Sequence, residues 1–167
     1  MRIALLSNPT SGRGRHAAAD DIALRVLTEA GHEVLHVRGS SYEQTRRAGR
    51  TLLGDGPHRN IEALVVVGGD GMVHLGVDIV ATTGVPLGIV ATGTGNDIAR
   101  HFNLPSRDAE ASARLINQAL SGEEAITAVD AIYASRPDGT LLAPQRRWSL
   151  AVVSAGVDAA VNARANT

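Results

Sequence analysis

The sequence predicts an α/β fold: a parallel-sheet nucleotide-binding domain with helices on both faces, followed by the start of an antiparallel β domain. Three observations predict it. Short apolar, β-rich runs alternate with longer helix-like segments as far as about residue 120. Three of those runs feed directly into glycine-rich turns. After about Glu124 the pattern changes to short runs joined by a turn, which is hairpin logic.

Ile3–Leu6 reads as a first buried strand. His16–Ala30 reads as a helix, with Ile22, Val26 and Leu27 on one face and Asp20, Asp21 and Arg25 largely off it. Gly31 ends it. Glu33–Val37 is a second strand, and Tyr42–Leu53 an Arg-rich helix closed by Gly54-Asp55-Gly56-Pro57. Ala63–Val67, written Ala-Leu-Val-Val-Val, is the most strongly buried strand and runs into Gly68-Gly69-Asp70-Gly71. A helix to about Ala81 follows. Pro86–Val90 is another strand, feeding Thr92-Gly93-Thr94-Gly95. Asn96–Phe102 and Ala109–Leu120 are further helices. Beyond them Ile126–Ala134 alternates, Arg136–Gly139 turns, and Thr140–Leu142 and Trp148–Val153 look like strands. The expected domains are therefore 1–124, α/β, and 125–167, the beginning of a β-sandwich. So short a second part is not expected to bury a sandwich core alone. With a helix start at Asp158–Ala165, the chain is expected to be an incomplete piece of a longer polypeptide.

Composition narrows the function. The 167 residues are 44% hydrophobic and 20% charged, an ordinary soluble balance. A net charge of -1 gives no global field toward nucleic acid, so no nucleic-acid partner is expected. There is no Cys, which excludes disulfides and thiolate metal sites. The opening Met-Arg-Ile-Ala-Leu-Leu-Ser is a strand and not a signal peptide, and no run approaches the roughly 18 apolar residues of a membrane span. A cytoplasmic location is expected. All 16 basic residues are Arg. The P-loop pattern ends in a Lys that this sequence lacks, so that class of nucleotide-binding proteins is excluded.

The glycine-rich segments should share the carboxyl edge of the sheet, where ligands bind in such folds. Asn8-Pro9-Thr10-Ser11-Gly12-Arg13-Gly14 offers backbone N–H groups and a helix start to a phosphate. Gly68-Gly69-Asp70-Gly71 is entropically expensive for a mere connection, and its Asp can accept an alcohol proton or help hold Mg²⁺. In Gly93-Thr94-Gly95-Asn96-Asp97, Thr94 offers a hydroxyl, Asn96 or Asp97 can cap a helix, and Asp97 and Arg100 can pair on one turn. The six His show no metal-ligand spacing, although His74 follows the Asp70 loop. Arg46, Arg47 and Arg50 read as a solvated face, with a membrane- or phosphate-facing patch as the sharper alternative.

Together, NPTSGRG, VVVGGDGMVH and LGIVATGTGNDIAR resemble the catalytic domain of the diacylglycerol, sphingosine and bacterial lipid kinases. Ser154–Ala159 is similar to the segment with which that family's second domain begins in earnest. The resemblance implies two domains, ATP and Mg²⁺ as cofactors, and γ-phosphate transfer to a lipid hydroxyl, most readily that of diacylglycerol. It implies nucleotide binding by Asn8, Pro9, Ser11, Gly12, Gly14, Gly68, Gly69, Asp70, Gly71, Met72, Gly93, Thr94 and Gly95. Asp70 would be the essential carboxylate, acting on the acceptor or through Mg²⁺. Asn96 and Asp97 would support it, and Asp158 would lie near the acceptor pocket or the domain junction. A sphingosine-like lipid or NAD is the alternative acceptor, and a non-catalytic nucleotide-binding module the alternative role. Transient contact with a membrane surface is implied, and a homodimer is admitted. The chain alone is expected to be inactive. Two positions depart from the family's usual pattern after GGDG: Met72 stands for Thr, and Leu75 for Glu.

Overall fold

Alternating side chains along the strands decide the architecture. In the computed structural model, which describes residues 1–8, 15–54, 60–135 and 148–150, four parallel strands form one sheet. These are β1 (Arg2–Ser7), β2 (Glu33–Arg38), β3 (Ala63–Gly68) and β4 (Leu87–Ala91), in the order β2-β1-β3-β4. Leu64 and Val66 of β3 join one core, Ala63, Val65 and Val67 the other. A strand apolar at every position needs both faces covered. The helices α2 (Tyr42–Leu53) and α3 (Asp70–Val80) cover the first face. The second is covered by α1 (Arg15–Glu29) and α5 (Ala109–Ser121).

The registers put the strand ends level. Ser7 pairs with Arg38 on one side and Val67 on the other, and Gly68 pairs with Ala91. The chain winds outward from β1 to β2, then returns past β1 to β3 and β4. That reversal places a topological switch between β1 and β3, where open α/β sheets bind ligands. Helix ends follow local chemistry. Ser41 caps α2 by accepting from the Gln44 N–H at 3.2 Å, and Gly54 closes it. Asp108 caps α5 through the Ala111 N–H at 2.9 Å, and Gly122 ends it in the left-handed region. Between β4 and α5 lies the short α4 (Asp97–His101).

The sequence expectation holds from β1 to α5 with one-residue shifts at several ends. It departs in three places. Residues 126–131 do not form a strand; Ile126 and Val129 are exposed, and pairing starts only at β5 (Ile132–Tyr133), antiparallel to β6 (Trp148–Ser149). Alternation without a partner strand does not make a ladder. The Tyr133 and Trp148 rings lie 4.8 Å apart, and Trp148 and Leu150 pack against the α2–α3 core. Second, Asp20 is not off the buried face of α1 but fully buried. Third, Arg46 and Arg50 are not merely a solvated face. They converge on the buried Asp78 of α3, at 3.0 and 3.1 Å, and tie α2 to α3. The expected turn at 136–139, the strand Thr140–Leu142, Asp158 and the helix start beyond it lie outside the described residues. Among the described residues, no helix is long and apolar enough to cross a membrane.

The Asp78 pairing yields a test. Removing the carboxylate leaves the poorly exposed Arg46 guanidinium without its buried counter-charge. Asp78→Ala is expected to lower unfolding free energy by about 3 kcal/mol or more in urea denaturation, whereas Arg47→Ala, at an exposed position, should change it little.

Candidate functional site

At the ends of β3 and β4 two glycine turns touch through bare backbone. A Cβ built on Gly93 would lie 2.5 Å from the Gly69 Cα, and one on Gly69 would lie 3.2 Å from the Gly93 Cα. No side chain fits between them. The Thr92 N–H donates to the Gly68 carbonyl at 2.9 Å and locks the approach. A Cβ on Gly68 would meet the Met72 Cγ at 2.5 Å. The glycines thus serve close packing of two loops, and not only turn geometry.

Asp70 opens α3 at this junction. Its Oδ1 accepts from the Ile98 N–H of α4 at 3.2 Å. Its Oδ2 stands 3.0 Å from where a Cβ on Gly95 would be. The carboxylate therefore bridges the β3 and β4 loops. It also lines an open pocket of about 270 Å³ with Gly71, Tyr42 and His74. His74, which follows the Asp70 loop in the sequence, reaches this pocket. Tyr42 carried no site signal, since a Tyr at a helix start reads as core.

Asn96 acts as a strut. It is buried, in the left-handed conformation at φ 56°, and its Nδ2 donates to the Gly93 carbonyl and the Ser106 hydroxyl, each at 2.9 Å. Its side chain makes no capping bond, so the capping expectation fails for Asn96. The amide instead secures Gly93 against the segment at Ser106, which bridges to Ala91. Asp97 is exposed and paired with Arg100, as the spacing predicts, and Arg100 also bonds the Gly95 carbonyl. Arg107 donates to the Thr94 carbonyl at 2.9 Å. Two Arg side chains thus hold this loop from outside.

The structure brings Gly68, Gly69, Asp70, Gly71, Gly93, Thr94, Gly95, Asn96 and Asp97 to one edge. Asn8 stands on that edge after β1, while Pro9, Ser11, Gly12 and Gly14 lie outside the described residues. The Met72 and Leu75 side chains point into the core, 6% and 0% exposed. Met72 also spends its N–H on the Gly69 carbonyl. Of Gly68–Met72, the part open to the cleft is Gly69–Gly71.

Below the β1 and β2 ends sits a second polar group. Asp20 Oδ2 lies 3.5 Å from Arg38 Nε and 3.9 Å from His36 Nε2, and His36 Nε2 is 3.3 Å from the Ser7 hydroxyl. Burial pushes the Asp20 carboxyl above its ordinary value, against the pull of Ser7, His36 and Arg38. Burial, then the Arg38 charge, pushes His36 below its own. A third feature is a polar crevice of about 360 Å³ between α1 and α5, lined by Glu29, Arg114, Gln118 and Glu123 among others. Among the described residues no three His, Asp or Glu gather as a metal site.

The loop contact is testable. Gly93→Ala should force the two turns apart and lower stability by about 1–3 kcal/mol, read by calorimetry. It should also speed hydrogen exchange at the Ile98 amide, which Asp70 holds. Unchanged exchange would mean that the turns are not coupled.

The diacylglycerol kinase catalytic domain model matches residues 2–132. Proteins named diacylglycerol kinase from two Mycobacterium tuberculosis strains, CDC 1551 / Oshkosh and ATCC 25618 / H37Rv, are each 31% identical over 165 residues. Those alignments cover 99% of this chain and 49% of each relative, so the chain spans about half their length. A crystal structure described as of diacylglycerol kinases from Bacillus anthracis str. Sterne aligns with TM-score 0.54 at 21% identity, over 70% of this chain and 39% of that one. A second solved structure, titled "A putative diacylglycerol kinase" from the same strain, gives TM-score 0.53 at 23% identity, with the same coverage. These two likenesses concern the fold. The family match over most of the chain, with the glycine turns and Asp70 falling inside it, means that this protein belongs to the diacylglycerol kinase catalytic domain family.

Proposed function

We propose that this chain is the nucleotide-binding part of a lipid kinase that moves the γ-phosphate of ATP to a lipid hydroxyl, with diacylglycerol as the acceptor and phosphatidic acid as the product. One observation carries the reading. The β3 and β4 glycine turns meet backbone to backbone, with a carboxylate fixed at their junction and facing a pocket. Bare backbone lets phosphates come close, and phosphoryl transfer needs positioning and charge neutralisation above all.

The nucleotide would lie along Gly69–Gly71, Gly93, Thr94 and Gly95, with Asn8–Gly14 completing its phosphate contacts. The acceptor oxygen bonds to the γ-phosphorus as the bond to the β-phosphate oxygen breaks. ADP departs with that electron pair, and the hydroxyl proton passes to Asp70 Oδ2 or through it to water. Asn96 and Asp97 support this arrangement without touching the transferred group: Asn96 fixes Gly93, and Asp97 holds Arg100 on the Gly95 carbonyl. One carboxylate suits Mg²⁺, which keeps waters and takes phosphate oxygens for most of its ligands. Asp70 is the residue that would hold it, and the ion would offset phosphate charge.

Residues 1–124 would form the first domain and 125–167 the beginning of the second, which would supply the acceptor pocket, Asp158 near it. A lipid acceptor requires peripheral contact with a membrane surface from the cytoplasm, and a homodimer fits the same role. A second reading, binding without transfer, is favoured by Met72 and Leu75. Both side chains are committed to the core where the family commonly has Thr and Glu.

The test is transfer of labelled phosphate from Mg·ATP to micellar diacylglycerol, sphingosine or NAD, using the chain joined to the remainder of a full-length kinase. Labelled phosphatidic acid is expected, falling at least about a hundredfold in Asp70→Asn at unchanged melting temperature. Near-normal transfer by Asp70→Asn would remove Asp70 from the chemistry. ATP binding without transfer to any acceptor would select the second reading.

A further inference from the structure

Three successive peptide groups of the β4 turn are each held by the carbonyl. The Gly93 carbonyl accepts from the Asn96 Nδ2 at 2.9 Å, the Thr94 carbonyl from the Arg107 guanidinium at 2.9 Å, and the Gly95 carbonyl from the Arg100 guanidinium. Each peptide group is planar and trans, so its N–H points opposite to its carbonyl. Fixing the three carbonyls therefore fixes the N–H groups of Thr94, Gly95 and Asn96. Among the described residues, none of these three N–H groups donates to a partner. Successive backbone N–H groups left open at a turn are what an anion needs.

Arg107 differs from the other two holders. Asn96 and Arg100 belong to the turn and to α4, whereas Arg107 comes from the segment that leads into α5. Its backbone is left-handed, at φ 62°. That conformation disfavours a residue with a Cβ, and Gly would take it without steric conflict. A larger residue persists there only where its surroundings hold it. They do so here: its N–H donates to the Ala91 carbonyl at 2.7 Å, and Ser106 bridges to Ala91 while accepting from Asn96. The neighbouring Asp108 caps α5. Among the described residues the Arg107 guanidinium makes no ion pair, and it is engaged with the Thr94 carbonyl. An Arg at a position suited to Gly points to its side chain as the reason.

We infer that Arg107 is a positioning residue: with Asn96 and Arg100 it presets the N–H groups of Thr94, Gly95 and Asn96 for the phosphate oxygens of a nucleotide. It acts through the turn and not on the nucleotide directly. A turn whose N–H groups are already oriented loses less freedom when the anion arrives. This rests on the nucleotide role proposed above for that turn.

The experiment uses the full chain with Arg107→Gly and Arg107→Asn, two residues that accept the left-handed backbone and lack the guanidinium. It records melting temperature, Mg·ATP affinity by calorimetry, and backbone amide relaxation without nucleotide. Both variants should keep the wild-type melting temperature yet bind ATP roughly threefold to tenfold more weakly, the scale of one lost hydrogen bond. The Gly95 and Asn96 amides should gain motion in both. Wild-type affinity in a variant that keeps its melting temperature would overturn the inference, as would affinity lost only in step with stability. Affinity lost without added motion at Gly95 and Asn96 would overturn it too, since the Arg107 charge alone would then be at work. Collapse of both variants would also overturn it, because Arg107 would then hold the fold itself. A wild-type chain that binds no ATP would defeat the proposed function in its own arm. Relaxation would still decide the positioning: added motion at Gly95 and Asn96 upholds it, and unchanged motion overturns it.

Discussion

The contact between Gly69 and Gly93 is the constraint on which the candidate site depends. Two turns from adjacent parallel strands approach until their Cα atoms leave no room for a Cβ. That closeness lets Asp70, on the first turn, accept from the Ile98 N–H beyond the second. It also places Asn96 so that its amide can hold the Gly93 carbonyl. A methyl group at Gly93, 2.5 Å from the Gly69 Cα and 2.9 Å from the Asn96 Oδ1, would strain these relations together. The sheet supplies the precondition, because the β3–β4 register brings Gly68 level with Ala91.

Some of the charge pairing reaches inside the fold, at the buried Asp20 and Asp78. Arg46 and Arg50 serve Asp78, Arg38 serves Asp20 and Asp21, and Arg100 serves Asp97. Among the described residues, much of the Arg set is therefore engaged in fixing helices and loops. The pocket beside Asp70 is accordingly not a cationic one; Tyr42, His74 and a carboxylate line it. Phosphate affinity in such a place comes from backbone N–H groups and from a cation carried in with the nucleotide.

The fold was legible because its signals are local. Apolar runs of four to six residues ending in glycine, as at Ala63–Gly68, allow few alternatives to buried parallel strands. The Asp70 loop was legible for the same reason. What the sequence hid depends on packing between distant elements. Asp20 looks like a surface residue until β2 presents His36 and Arg38 to it. Arg46 and Arg50 look like a solvated face until α3 brings Asp78 beneath them. Asn96 reads as a cap because Asn commonly is one, yet its left-handed backbone turns the amide to Gly93 and Ser106. Residues 126–131 alternate correctly for a strand but meet no partner strand among the described residues.

The most direct measurement is a residue-resolved amide spectrum of the chain titrated with Mg·ATP. Shifts are expected centred on Gly69, Asp70 and Gly71 and on Gly93 through Ile98, saturating together, because one junction would hold the nucleotide. Shifts confined to the α1–α5 crevice around Glu29 and Arg114, or no shift at any nucleotide concentration, would contradict it.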